Sequence, residues 1–238
     1  MIDFHSHVLP RMDDGPRSLR ESLEMLNQCF QQGVDAVVST SHFYAYRDDP
    51  KAFLLRRGRR LQALREAMLC STEVYPRIIP GAEVLYFPGI SQAQEVAELS
   101  VAGRVILIEP PMAPWSDDML DEIVSLGENF RRKPVIAHVD RYMKMLGDNG
   151  LIDRVLEREL LVQVNGSYFL DKKREKAAIR NLKKGKIHLI GSDCHNLFDR
   201  APNLGLVRRV VRAAGAEAEF RVLQENAAGL LELEGELV

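Results

Sequence analysis

An alternation that runs the length of the chain most constrains its fold. Short apolar runs rich in β-branched residues alternate with longer stretches whose apolar residues recur at helical spacing. Met1 to His7 opens as a strand. Ser18 to Glu21 is a capping-box pattern ahead of Leu19, Leu23, Leu26 and Phe30 at helical spacing, and Gly33 supplies a stop. Asp35 to Thr40 is the next apolar run. The same grammar predicts helices over 50–70, 91–99, 116–130, 151–158 and 171–184, with strands over 77–80, 104–108, 134–137, 160–164 and 187–190. Closing helices are predicted over 204–214 and 218–233. Seven buried-type strands alternating with helices predict a parallel sheet. No linker or low-complexity stretch interrupts the 238 residues, so one domain over 1–238 is expected.

An open doubly wound sheet satisfies that alternation as well as a closed barrel does. The position of the polar residues discriminates. They follow six of the seven runs, at Ser41-His42, Glu83, Glu109, His138, Asn165 to Ser167 and Asp193 to His195, and end the first run at His5 and His7. In a barrel all strand C-termini converge on one rim, whereas the outer strand ends of an open sheet lie far apart. The expected fold is therefore α/β, a distorted seven-stranded TIM-like (β/α)7 barrel.

That rim collects His5, His7, Asp14, His42, Glu83, Glu109, His138, Asp193 and His195. Two residues apart on a strand, His5 and His7 point to the same side. Each of the nine has a structural alternative: the carboxylates can cap helices or form Asx turns, and the histidines can be loop residues. Jointly they are harder to dismiss, because five of the six histidines fall at strand ends. Only His188 lies mid-strand, as a core or neighbour-bonded histidine. Nine nitrogen and oxygen ligands exceed what one zinc ion takes, and match two or three ions sharing bridging carboxylates. With no cysteine in the set, Mn²⁺ is favoured, with Fe or Zn²⁺ as alternatives.

These motifs resemble the polymerase-and-histidinol-phosphatase (PHP) superfamily: His5-Ser6-His7 with Asp14, Ser41-His42, Gly81-Ala82-Glu83, Leu107-Ile108-Glu109, Ile136-Ala137-His138 and Gly191-Ser192-Asp193-Cys194-His195. The stretch from His7 to Pro16 is similar to the bacterial capsule and exopolysaccharide tyrosine-protein phosphatases (CpsB/CapC-like) within it. The resemblance implies a seven-stranded barrel with three metal ions. His5, His7, Glu83 and Asp193 would hold one, Glu83, Glu109 and His138 a second, and Asp14, His42 and His195 a third. It also implies that Arg141 and Arg200 bind the phosphate, a role that suits the bidentate guanidinium fork. The implied activity is phosphotyrosine hydrolysis by a metal-bound hydroxide, acting on a protein substrate such as the tail of a bacterial tyrosine kinase that controls capsule or exopolysaccharide synthesis. Two positions depart from the family pattern: His138-Val139-Asp140-Arg141 replaces its usual His-Pro-Glu-Arg, and Phe43 stands where a second histidine often follows His42. Neither removes a ligand.

Two rivals remain at this level. One is a small-molecule phosphomonoesterase of the same superfamily, acting for example on histidinol phosphate. The other is a metal-stabilised binding barrel without turnover. Cys194 to Arg200 also matches the C-x5-R loop of cysteine-dependent phosphatases, but Leu197, Phe198 and Asp199 stand where that loop needs small residues to wrap a phosphate. Cys194 is expected to be a packing residue.

The formal charge of −2 gives no global attraction to nucleic acid, and no apolar run approaches the roughly 20 residues needed to span a bilayer. No signal peptide is evident, and Cys29, Cys70 and Cys194 are odd in number and widely spaced, which together suggest a reducing cytoplasm. The basic run Arg56, Arg57, Arg59 and Arg60 is either a solvated helix face or a dock for an acidic or phosphorylated tail. Pro110 to Trp115 and Phe43 to Tyr46 are either ordinary loop packing or a wall for a phenyl ring.

Overall fold

The computed structural model describes residues 1–147 and 150–233; positions 148, 149 and 234–238 of the expected domain lie outside the described residues. Its strands are β1 (Ile2–Ser6), β2 (Ala36–Ser39), β3 (His42–Phe43), β4 (Arg77–Pro80), β5 (Glu83–Leu85), β6 (Val105–Glu109), β7 (Lys133–Ile136), β8 (Leu161–Asn165) and β9 (Leu189–Gly191). The helices are α1 (Leu19–Gln31), α2 (Pro50–Leu69), α3 (Asp117–Phe130), α4 (Val139–Leu146), α5 (Leu151–Leu156), α6 (Gly166–Leu170), α7 (Glu175–Lys183), α8 (Leu204–Ala213) and α9 (Glu217–Leu231).

Local chemistry explains the helix starts. The Ser18 side chain accepts from Glu21 N, that of Asp49 from Ala52 N ahead of Pro50, and that of Ser116 from Met119 N. Each satisfies an orphan donor of a first turn. The helix predicted over 91–99 is instead two 3-10 segments, Ile90–Gln92 and Gln94–Leu99, because Ala93 between them is extended. Helix α4 was not anticipated. It starts directly after β7, and its signal is Val139, Tyr142, Met143 and Leu146 at helical spacing, the first three buried.

All strand pairings are parallel: β1-β2-β4 form one sheet, and β3-β5-β6-β7-β8-β9 the other. Where seven apolar runs were expected, nine strand segments appear, because β2 and β3, and likewise β4 and β5, are separated by two-residue breaks. The sheet curls until its first and last strands meet. Ser6 bridges Cys194, His7 N donates to Cys194 O at 2.9 Å, and Asp193 N donates to His5 O at 2.8 Å.

Strand alternation divides the core in two. Ile2, Phe4, Val38, Leu107, Val135, Ala137 and Leu189 form an inner cluster with Ala227 and Leu231 of α9, while Val37, Ile106, Ile108, Val162 and Ile190 pack among the helices. The register of β1 against β2 shifts between Asp3 and Ser6. Such an irregularity re-aims side chains. It lets Phe4 face the inner cluster while its neighbour His5 faces Gln163 and Glu83 on that same side.

Candidate metal centre

All nine sequence-predicted residues lie together on one rim: His5, His7, Glu109, His138, Asp193 and His195 at or just past strand ends, His42 and Glu83 opening β3 and β5, and Asp14 in the loop after β1. Glu83 is the hub. Its Oε2 lies 3.1 Å from His5 Nε2, 3.2 Å from His7 Nε2 and 3.1 Å from His42 Nδ1, and its Oε1 lies 2.7 Å from His138 Nε2. Asp193 Oδ1 is 3.7 Å from both His5 Nε2 and His7 Nε2. Glu109 is 3.6 Å from His138 and 3.7 Å from His42. Asp14 Oδ1 lies 3.1 Å from His195 Nε2 and 3.6 Å from His42 Nε2.

The backbone is bent to achieve this. Gly191 passes β1 so closely that a Cβ on it would sit 2.4 Å from His5 Cβ and 2.6 Å from His5 N. Only glycine fits, and that approach sets Asp193 beside His5. His138 and Asp193 themselves hold φ of 32° and 54°. Left-handed backbone costs a non-glycine residue about 1–2 kcal/mol, and such outliers cluster at functional sites.

Electrostatics tie the cluster together. Burial opposes ionisation of Glu83, yet His5 and the hydrogen bonds from His138, His5 and His7 hold its carboxyl well below the usual range. Burial, reinforced by Glu83, pushes Glu109 up to about 7. Burial works against a charged His7, but Asp13 and Glu83 outweigh it and raise its pKa well above normal. His42, buried and facing His7, falls to about 4. The His195 hydrogen bond draws Asp14 down to about 2.

This donor set fits divalent ions. His5 Nε2 and His7 Nε2 face each other at 3.2 Å, and His42 Nδ1, His138 Nδ1 and His195 Nε2 are buried without an aligned hydrogen-bond partner among the described residues. Imidazole nitrogens left bare beside carboxylates suit cations better than each other. Three overlapping groups have ligand atoms within 4.8 Å of one another: His7, Asp14, His42 and His195; His5, His7 and Asp193; and His42, Glu83 and Glu109.

Three orienting residues, Asp13, Gln163 and Asn165, stand outside the nine predicted ligands. Asp13 Oδ2 accepts from His7 Nδ1 at 2.8 Å and from His42 N at 3.0 Å. Gln163 Oε1 lies 3.2 Å from His5 Nδ1 and accepts from His138 N at 2.6 Å. Asn165 donates to Asp193 Oδ2 at 2.8 Å. Such partners fix the tautomer and aim of a ligand. Their sequence signal was faint: Gln163 and Asn165 are polar residues of one facing parity in an otherwise apolar strand.

Both arginines reach the site. Arg141 contacts Asp193 Oδ2 and lies 3.5 Å from Glu109, while Arg200 lies 2.8 Å from Asp193 Oδ1 and 3.3 Å from Asp14.

A model of the family described as "Capsular polysaccharide synthesis, CpsB/CapC" matches residues 1–232. The chain belongs to the CpsB/CapC family. The tyrosine-protein phosphatase CpsB of Streptococcus pneumoniae is 30% identical over 217 residues, spanning 85% of this chain and 86% of the relative. The CpsB of Streptococcus agalactiae serotype III (strain NEM316) is 27% identical over 246 residues, spanning 97% and 98%. A crystal structure from work on YwqE of Bacillus subtilis and CpsB of Streptococcus pneumoniae, "unique metal-dependent tyrosine phosphatases", superposes with a TM-score of 0.85 at 24% identity, covering 98% of this chain and 94% of that one. The CpsB/CapC fold is thus shared over the described chain.

Other expectations are corrected or sharpened. The two loops left open between ordinary packing and a wall for a phenyl ring are mostly packed. Trp115 is buried against Tyr142 and Phe43 against Phe53, leaving Tyr44, stacked on His42 with centroids 5.3 Å apart, and the exposed Tyr46. In the basic run, Arg56 pairs with Asp48 at 3.3 Å and Arg57 donates to Gly81 O at 2.8 Å, so two of its four cations are engaged. The Cys194 loop cannot cradle a phosphate. His195 N and Asn196 N donate to Arg200 O, and Phe198 N and Arg200 N donate to Asn196 Oδ1. Cys194 is fully buried, its thiol beside that of Cys29, as a packing residue should be. His188 is neighbour-bonded as expected, its Nδ1 accepting from Val162 N at 2.9 Å. No helix among the described residues is long and apolar enough to cross a membrane.

Proposed function

We propose that this protein is a metal-dependent protein-tyrosine phosphatase. The observation that carries the reading is the Glu83 hub, one buried carboxylate in reach of four imidazoles with two guanidiniums on the same rim. The activity in the names of its CpsB relatives supports the same chemistry. On this reading residues 1–238 are one phosphatase domain. The curled sheet is a distorted seven-stranded barrel in which β2 with β3 and β4 with β5 make one stave each, and the Ser6–Cys194 bridge is the seam.

His5, His7, Glu83 and Asp193 would hold one ion, Glu83, Glu109 and His138 a second, and Asp14, His42 and His195 a third, with Mn²⁺ favoured over Fe or Zn²⁺ by the nitrogen–oxygen donor set. Such ions polarise phosphoryl oxygens and lower the pKa of water. The chain's own residues do the rest. Arg141 and Arg200 present guanidinium forks to the phosphate's outer oxygens, neutralising charge as the P–O bond to the phenol breaks. Asp13 and Gln163 hold His7 and His5 by Nδ1, leaving each Nε2 turned to the site. Tyr44, stacked on His42, offers a face to the substrate ring. A phenolate leaving group, with a pKa near 10, needs less help departing than an alkoxide. The partner this suits is a phosphotyrosine-bearing protein segment, such as a bacterial tyrosine kinase tail. The three free cysteines suit a reducing cytoplasm.

The test compares hydrolysis of a phosphotyrosine peptide, a phosphoserine peptide and histidinol phosphate, with and without chelator. Chelator-sensitive turnover that favours the phosphotyrosine peptide is expected. Preference for histidinol phosphate, or activity that survives complete metal removal, refutes the assignment.

A further inference from the structure

At the opposite pole, where the strands begin, lies a cavity of about 860 Å³ that the phosphatase chemistry does not use. Arg104 precedes β6, Lys133 opens β7, Leu161 opens β8 and His188 precedes β9, and one face of α9 forms the remaining wall. We propose that this cavity is a second binding site, built for a nucleoside diphosphate.

Charge is the first argument. Arg104, Arg131, Arg132 and Lys133 line the cavity against Glu225 and Glu232, an excess of two positive charges in a chain whose net charge is −2. Arg104 is already paired with Glu232. Arg131 and Lys133 have no ion-pair partner among the described residues, so both are free to meet an anion. Arg132 lends its Nη1 to the carbonyls of Phe130 and Arg131, and its buried Nε has no hydrogen-bond partner among the described residues.

Hydrogen bonding is the second. His188 Nδ1 accepts the Val162 N–H, so the neutral ring carries its proton on Nε2, as a donor that the strand backbone does not use. Burial lowers the His188 pKa and keeps the ring in that neutral form.

Size and polarity decide the ligand class. The volume falls in the roughly 300–1,000 Å³ range of organic ligand sites, well beyond the needs of a lone phosphate. Half-buried Leu161 and Leu230 offer an apolar face. Exposed Glu225, which would repel a bare anion, is the right acceptor for ribose hydroxyls, as acidic residues are in nucleotide folds. A diphosphate on Arg131 and Lys133, a ribose at Glu225 and a base on Leu161 and Leu230 would each meet a matching part of this lining.

The test is titration calorimetry of ADP into metal-loaded protein in excess magnesium, with phosphotyrosine-peptide hydrolysis measured in parallel. ADP should bind the wild type and the Arg141→Ala/Arg200→Ala variant equally, since those side chains lie at the other pole. Arg131→Gln/Lys133→Gln, at two exposed positions, should weaken binding at least tenfold while leaving hydrolysis and melting temperature unchanged. Glu225→Ala should weaken ADP but not inorganic pyrophosphate. No ADP binding, binding lost with Arg141 and Arg200, or binding indifferent to Arg131 and Lys133 overturns the proposal.

Discussion

Asp13 offers the sharpest test of how the centre is held. Its buried carboxylate takes three hydrogen bonds: Oδ2 from His7 Nδ1 at 2.8 Å and His42 N at 3.0 Å, and Oδ1 from Gly15 N at 3.0 Å. In Asp13→Asn the amide oxygen can keep the first two only by turning its NH₂ group onto Gly15 N. The half-buried Gly15 N–H is then left facing another donor, at up to roughly 1–3 kcal/mol. For a chain of this size that lowers the melting temperature by about 2–4 °C per kcal/mol. The larger effect falls on the metal. His7 loses the anion that polarises its Nδ1–H and raises its basicity, and loss of such a partner costs about 10–100-fold in metal affinity. The assay is metal content per chain after equilibration in metal buffers, read beside aryl phosphate hydrolysis and thermal melting. Asn should shift the loading curve by one to two decades while the protein stays folded, and activity should return at high metal concentration. A loading curve that does not move would refute the idea that Asp13 orients a ligand, leaving it a loop staple.

Three further outcomes follow from the same geometry. Arg141→Lys replaces a fork with a point charge; kcat/KM for aryl phosphate should fall about ten- to hundredfold, the worth of a charge-assisted contact, with metal content unchanged. Cys194→Ser should keep its hydrolysis while losing some thermal stability, since the side chain is buried beside Cys29; abolished activity would revive a thiol mechanism. His188 supplies a pH signature. Burial lowers its folded pKa below the ordinary 6.5, so the unfolded chain takes up the proton first. Stability should therefore decline as pH falls below about 6.5 and level off once the folded ring also protonates. His188→Gln, whose side-chain oxygen can still accept from Val162 N, should flatten that part of the urea-stability profile relative to wild type.

The alternation of apolar runs made the parallel sheet legible, and the residues after each run marked the rim. Strand ends are fixed by chain direction alone, so eight of the nine candidate ligands were visible without distances, with Asp14 in the loop after β1 as the exception. The orienting residues were not. Gln163 and Asn165 matter because β8 lies across from His5 and Asp193, a relation set by how the sheet curls and not by spacing along the chain. Asp13 and Asp14 are adjacent acids with opposite fates. Asp14 points to His195 and His42, while Asp13 backs His7, because the turn closes at Gly15, where a Cβ would meet His7 O at 2.6 Å. Nor could spacing reveal that Phe4 and His5 share a side, since that needs the register shift in β1.

Asp14, Glu83, Glu109 and Asp193 crowd one rim, and the two nearest guanidiniums, Arg141 and Arg200, already lean on Asp193, Glu109 and Asp14. Burial, reinforced by Glu83, still holds Glu109 up at about 7, so the chain's own cations do not fully offset the cost of gathering these carboxylates. Divalent ions would relieve that repulsion in the folded state alone, because the unfolded chain does not bring these strand ends together. An ion at 100 times its dissociation constant then adds about 2.7 kcal/mol per site, or roughly 5–11 °C at the sensitivity expected for this length. Chelation should therefore lower the melting temperature by at least that much, and re-addition of Mn²⁺ should restore it. His5→Ala/His7→Ala should melt lower than wild type in metal and respond less to chelator, because the site proposed for one ion is then broken. Equal melting temperatures with and without metal would mean that the four carboxylates are accommodated without cations, and the metal centre would have to be abandoned.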